Sequence, residues 1–182
     1  VTGELLKYDN KSETGKVEFN AGCTLVSGAT APETTVTNPT ADGVYKLYLI
    51  QVNTGKTLFA NGETDNDKFL KATTDPKAAP DFFVEADGEG FKFYYLKDDG
   101  TKMSLLASTT PSEDGKVSKY VGYSTEEGTT WIYKSETNGW YTTIDGIEYV
   151  VGTYGTYSTF SASKASYMGG DGSFCANLVT VG

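Results

Sequence analysis

The chain contains no histidine. Ser/His/Asp and Cys/His nucleophilic arrangements are therefore impossible, and so is any metal centre built on imidazole. It has only two cysteines, Cys23 and Cys175, too few and too far apart for a thiolate zinc site. No glycine-rich phosphate loop with its lysine occurs. No run of eighteen apolar residues occurs either, so nothing reads as a membrane-spanning helix and no membrane insertion is expected. Basic residues are outnumbered, fifteen against twenty-four acidic ones, for a formal net charge of -9. Such a balance supplies no field for phosphate, so neither nucleic acid nor an anionic membrane surface is an expected partner. The chain opens on Val1 without a leader segment or initiator methionine, and reads as a mature product or an excised fragment.

Thirteen tyrosines and twenty-one glycines stand out, together with many β-branched residues, serines and threonines. Long apolar helical stretches are missing. This is the profile of an all-β chain with many turns. Its 182 residues suffice for one good core, or for one domain plus an extension. Two cysteines fit a single Cys23–Cys175 disulfide, with two buried thiols as the alternative. If formed, the bridge would close a loop of more than a hundred residues and contribute about 3–5 kcal/mol by loop entropy.

Residues 1–42 read as an N-terminal β arm and linker. Short strands are expected at Leu5–Tyr8, Val17–Ala21 and Thr24–Val26. From Gly28 to Asp42 the chain is polar, rich in threonine, alanine and proline, and without periodicity.

From Gly43 three blocks can be laid over one another, at about 43–87, 88–136 and 137–182. Each opens on a glycine followed by an aromatic-rich strand: Gly43–Leu49, Gly90–Leu96 and Gly139–Ile144. Each then turns, at Asn53-Thr54-Gly55-Lys56, Asp98-Asp99-Gly100-Thr101 and Asp145-Gly146. These residues tolerate positive φ, which tight turns require. A second strand follows at Thr57–Ala60, Met103–Ala107 and Tyr149–Gly152. A third is expected at Lys68–Ala72, Lys116–Val121 and Tyr157–Ser161. A short apolar fourth closes each block, at Phe82–Val84, Trp131–Tyr133 and Phe174–Val179. The period is about 46–49 residues. Three four-stranded units over 43–182 predict a β-trefoil-like domain, each unit burying one face only against its neighbours. A β-sandwich or small open barrel would produce similar runs.

Chemistry is sparse. Glu85, Asp87, Glu126 and Glu127 are the carboxylates open to acid/base work, but nothing in their spacing sets two across a substrate. No enzymatic activity is expected. Asp65-Asn66-Asp67 resembles a fragment of a calcium loop but lacks its glycine and distal glutamate. No metal and no cofactor is expected. The aromatics are the better lead, because sugar rings stack on Trp and Tyr while their hydroxyls pair with amides and carboxylates. The third block offers Trp140, Tyr141, Tyr154, Tyr157 and Tyr167, near Asn138, Asp145 and Asp171; the second offers Tyr120, Tyr123, Trp131 and Tyr133. The ligand-binding set expected is Trp140, Tyr154, Tyr157, Asp145 and Asn138. Tyr154, in the turn Thr153-Tyr154-Gly155, is the ring most expected to face outward. Many of the others must fill the core.

The run Tyr149-Val150-Val151-Gly152-Thr153-Tyr154-Gly155-Thr156-Tyr157, continuing through Ser158–Ser163, resembles a recurring segment of accessory all-β modules in extracellular multidomain proteins of gut bacteria. The resemblance covers the last third of the chain. It implies an accessory domain, secreted or at the cell surface. The chain departs from ricin-type lectins, whose repeats end near a Gln-x-Trp triplet. Here those places hold Phe82-Phe83-Val84, Trp131-Ile132-Tyr133 and Phe174-Cys175-Ala176, so the ricin-type sugar site does not carry over. The expected function is a noncatalytic carbohydrate-binding module, monomeric in isolation, whose partner is a glycan. A protein-binding or adhesion module, docking on a host or bacterial surface protein, and a structural spacer are the alternatives. The loops Thr73–Ala79 and Ser108–Gly115 are the natural contact points for a protein partner.

Overall fold

A computed structural model describes residues 35–51, 54–65, 69–111, 117–153, 157–165 and 175–181. The expected strands before Thr24-Leu25-Val26, that strand itself and Cys23 lie outside these residues. What is described is all-β. Thirteen strands form one curled antiparallel sheet, with no α-helix among the described residues.

Strand β1 is Thr35–Val36. Then come β2 (Tyr45–Ile50), β3 (Thr57–Asp65), β4 (Phe69–Thr73) and β5 (Phe83–Asp87). Next are β6 (Gly90–Leu96), β7 (Lys102–Pro111), β8 (Val117–Ser124) and β9 (Thr130–Lys134). The last four are β10 (Gly139–Ile144), β11 (Ile147–Gly152), β12 (Thr159–Lys164) and β13 (Asn177–Thr180). Strand β1 falls within the stretch expected as linker. It pairs with β13, Thr35 opposite Val179 and Val36 opposite Leu178, so the sheet begins before the expected boundary at residue 42.

The pairing follows the chain in short meanders. Strand β2 pairs with β3 and β3 with β4; β6 with β7 and β7 with β8; β10 with β11 and β11 with β12. Strands β5, β9 and β13 link onward, to β6, β10 and β2 respectively. Strand β12 meets β4 through Thr159 and Phe160, and β8 through Ala162 opposite Lys119.

The turn chemistry is local. At Asp145-Gly146 both residues have positive φ, 52° and 76°, and Ile144 pairs with Ile147 across them. Two left-handed residues in a two-residue hairpin match the right-handed twist of the flanking strands. Gly90 answers a different demand. A Cβ there would lie 2.4 Å from the carbonyl oxygen of Trp131, because β6 and β9 run close at that point.

Period-two alternation sends Tyr45, Leu47 and Leu49 of β2 into the main core. There they join Phe82, Phe93, Leu105, Trp131, Tyr149, Phe160 and Leu178. The other face of β2 is covered too: Tyr48 stacks on its cross-strand partner Phe59 at 6.2 Å. Trp140 was expected as an exposed sugar platform; it is fully buried, at 0% exposure. Phe93, Tyr133 and Phe91 meet its ring edge-on, with centroids 5.0, 5.4 and 6.1 Å away. The physical reason is volume. A curled sheet must fill its interior, and indole is the largest apolar body available.

Two substitutions test this packing. Trp140→Ala is expected to lower stability by about 3–5 kcal/mol, as truncation of a buried indole does. Gly90→Ala forces a methyl against backbone and is expected to cost about 1–3 kcal/mol. Both are read from urea midpoints at unchanged slope.

Candidate functional site

Among the described residues an open groove of about 780 Å³ lies at the surface. Three segments wall it. The first is an irregularity in β3. Ala60 pairs with Ala72 and Thr64 with Leu70, so Asn61, Gly62 and Glu63 together oppose Lys71 alone. The surplus residues arch out of the ladder as a bulge. The expected second strand of the first block stops at Ala60; the observed one runs through this bulge to Asp65.

The second wall is the loop after β4. Asp75 organises it, accepting from Lys77 N at its side chain and from Ala78 N at its carbonyl, both at 3.0 Å. Lys46 of β2 fastens the far end. Its Nζ donates to Ala79 O at 2.7 Å and pairs with Asp81 at 2.8 Å. The third wall is the turn after β6. Gly100 has φ 84° and donates to Lys97 O, and Asp99 accepts from Thr101 N at 2.9 Å. Those bonds from Thr101, by side chain and backbone, hold the Asp99 carboxyl below its ordinary range.

The groove is rich in carboxylates. Glu63, Asp81, Asp98 and Asp99 line it with Lys97; Lys71 pairs with Glu63 at 3.3 Å and Lys46 with Asp81, so Asp98 and Asp99 carry most of its negative charge. Phe83, Pro80 and the half-exposed Leu96 supply apolar wall. Beneath the bulge, Tyr95 OH donates to Gly62 O at 2.8 Å and Tyr123 OH donates to Asn61 O. Burial raises the pKa of Tyr95, and the charge of Glu63 raises it further. Burial pushes Tyr123 up more strongly, with Tyr95 adding to it. Both remain protonated donors at neutral pH.

A second feature is Tyr157. Its side chain is 64% exposed, the most exposed large apolar group among the described residues. Its backbone is held hard. Gln51 Nε2 donates to Tyr157 O at 2.9 Å, and Thr153 Oγ1 donates to the same oxygen at 3.0 Å. Both donors are buried, at 2% and 0% exposure. Thr54 Oγ1 in turn donates to Gln51 Oε1 at 2.6 Å, which fixes the amide's orientation.

The residues expected to form one site are not brought together. Trp140 is core. Asn138 is exposed with φ 52°, and its Oδ1 accepts from Tyr133 OH, so it caps the turn into β10. Asp145 is exposed in the turn at the other end of that strand. The six residues of β10 lie between the two, a span of about 23 Å. Tyr157 is exposed. Tyr154, Tyr167, Asp171 and Cys23 lie outside the described residues. Cys175 is buried, against Gly139 and in the same small cluster as Tyr141 and Val150. Of the set-aside carboxylates, Glu85 pairs with Lys102, and Asp87 accepts from Thr130 and pairs with Lys92.

The groove residues share no sequence signal: Phe83, Tyr95 and Leu96 read as strand positions, Asp98 and Asp99 as turn residues. Asn61-Gly62 inside a strand pattern was the available signal, since glycine there marks a bulge. The loop Thr73–Ala79, expected as a protein-contact loop, does supply one wall through Ala78 and Ala79.

The tyrosines yield a pH expectation. Tyr95, Tyr123, Tyr133 and Tyr141 all have raised pKa, first through burial. The folded state therefore holds these protons more tightly than the unfolded chain. The stability they contribute is complete below about pH 10, the unfolded tyrosine value, and is lost as pH rises through the folded values. Ultraviolet titration of tyrosinate should show ionisation in more than one step, the last of it above the ordinary tyrosine range and as the protein unfolds. A single transition for all of them would contradict this.

No protein-family model matches the chain, and no curated protein matches it. Among solved structures, a salivary protein from Culex quiquefasciatus, of the Cysteine and Tryptophan-Rich (CWRC) family, is similar in fold. Its TM-score is 0.53 at 13% identity, over 81% of this chain and 99% of that one. At that identity the likeness concerns the fold alone.

Proposed function

We propose that this chain is a β-trefoil-like, noncatalytic carbohydrate-binding module of a secreted or cell-surface protein, and that its ligand lies in the acidic groove. The trefoil reading draws on the pairing. In each of three successive groups the first strand pairs with the second and the second with the third. The fourth strand passes to the first strand of another group, and the third strands meet around β12. Repetition of one pairing scheme is what a three-unit architecture requires.

The observation that carries the functional reading is the groove itself: carboxylates and an amide beside an apolar wall, on backbone held by internal hydrogen bonds. Sugar hydroxyls donate well to carboxylates, and the apolar face of a pyranose covers Phe83 and Leu96. The lining carboxylates would meet the ligand directly. Their charge selects the sugar class. Neutral and amino sugars are compatible; sialylated, sulfated and uronic acid glycans are repelled.

A glycan array tests this. Binding is expected on neutral or hexosamine-terminated glycans, with loss of at least about tenfold in Glu63→Gln and Phe83→Ala, the span of one good contact. Unchanged signal in both variants would remove the groove from the reading. The acidic excess also favours a second reading, an adhesion module that takes a lysine- or arginine-rich protein segment there. Steep weakening with added salt would point to that partner, because exposed charge pairs are screened.

A further inference from the structure

The groove's first wall depends on residues that do not line it. Asn61, Gly62 and Glu63 have left the β3–β4 ladder, so two of their carbonyls need other donors. The donors come from the next group of strands. Tyr95 of β6 reaches Gly62 O, and Tyr123 of β8 reaches Asn61 O, across 33 and 62 residues of sequence. The rings brace one another. Tyr95 and Tyr123 meet edge-on at 4.9 Å, and Phe82 packs against both, at 6.2 and 6.5 Å. A Cβ on Gly62 would lie 3.3 Å from the Tyr95 hydroxyl, so the bulge and the ring are closely fitted.

Resting on the reading of the groove as the ligand site, we infer that Tyr123 is a positioning residue for it: its hydroxyl, with that of Tyr95, holds the bulge so that Asn61 and Glu63 are set toward the ligand before it arrives. Tyr95 also lines the groove, whereas Tyr123 is not among the lining residues. Any effect of the Tyr123 hydroxyl on binding must therefore pass through the bulge backbone or through the Tyr95 ring it braces. Without the clamp, two carbonyls lose their partners and the arch takes several conformations. A ligand would then have to order it, which weakens binding with no contact removed.

Tyr123→Phe isolates this, since it keeps the ring and deletes the hydroxyl. The probe is a short chitosan oligosaccharide, a glucosamine polymer, titrated well below the melting temperature. Amide hydrogen exchange of residues 60–64 is followed in parallel. The expected result is affinity lowered about fivefold to tenfold together with faster exchange confined to that segment. Glu63→Gln is the companion variant. If it weakens binding while Tyr123→Phe does not, the groove stands and the positioning role is overturned. If Tyr123→Phe lowers the melting temperature but leaves both affinity and local exchange unchanged, the hydroxyl is structural only, and the inference fails. If exchange at 60–64 quickens yet the oligosaccharide binds neither variant nor parent, the clamp exists but serves no such ligand; the functional reading falls, and the positioning role with it.

Discussion

The pairing of β13 with β2 is the constraint on which the rest depends. Asn177 sits opposite Tyr48 and Thr180 opposite Tyr45, so the end of the described chain is zipped to its first long strand. That ladder puts Leu178 beside Leu47 in the core and Val179 beside Lys46, behind the Tyr48–Phe59 pair. It also gives β1 its pairing partner among the described residues. Contacts between residues so distant in sequence must be assembled after much loop entropy has been lost, which makes folding of such β-proteins slow. The sheet is a cooperative object in consequence. No meander can bury its inner face until the others are present.

Aromatic distribution follows from that demand. The curled interior takes both tryptophans, and Nε1 of each has no hydrogen-bond partner among the described groups. A buried indole N–H without an acceptor costs stability, and the volume filled by the rings offsets it. Tyrosines divide the labour differently. Tyr45, Tyr95 and Tyr123 bury their rings and spend their hydroxyls on backbone: Thr40 N donates to Tyr45 OH at 2.8 Å, and the other two serve the β3 bulge. Tyrosine thus acts here as a core residue whose far end satisfies chain that has left the ladder.

What was legible in the sequence was whatever is decided locally. The glycine-led strands at Gly90 and Gly139, the Asp145-Gly146 hairpin and the Asp98-Asp99-Gly100 turn all depend on φ preferences and period-two alternation. The site was legible only in fragments. The burial of Trp140 is not legible locally, because a strand residue two places past a turn can face either way, and only the packing of Phe91, Phe93 and Tyr133 decides. The glycine at Gly62 hints at the bulge, but what braces it is invisible for a related reason. It is held by hydroxyls from β6 and β8, and no pattern near Asn61 announces them. Gln51 is the same case: a polar residue at a strand end gives no hint that it will be buried against residue 157.

That last contact has a consequence for engineering. Gln51 and Thr153 secure the carbonyl of Tyr157 from two directions, and Thr153 is itself buried. Thr153, next after β11, and Tyr157, two residues before β12, are therefore both held in place. Such a pair of moorings suits display. New sequence spliced between them would begin and end in register, at an entropic cost that grows only slowly with its length. The rest of the sheet would not need to be redesigned to carry it.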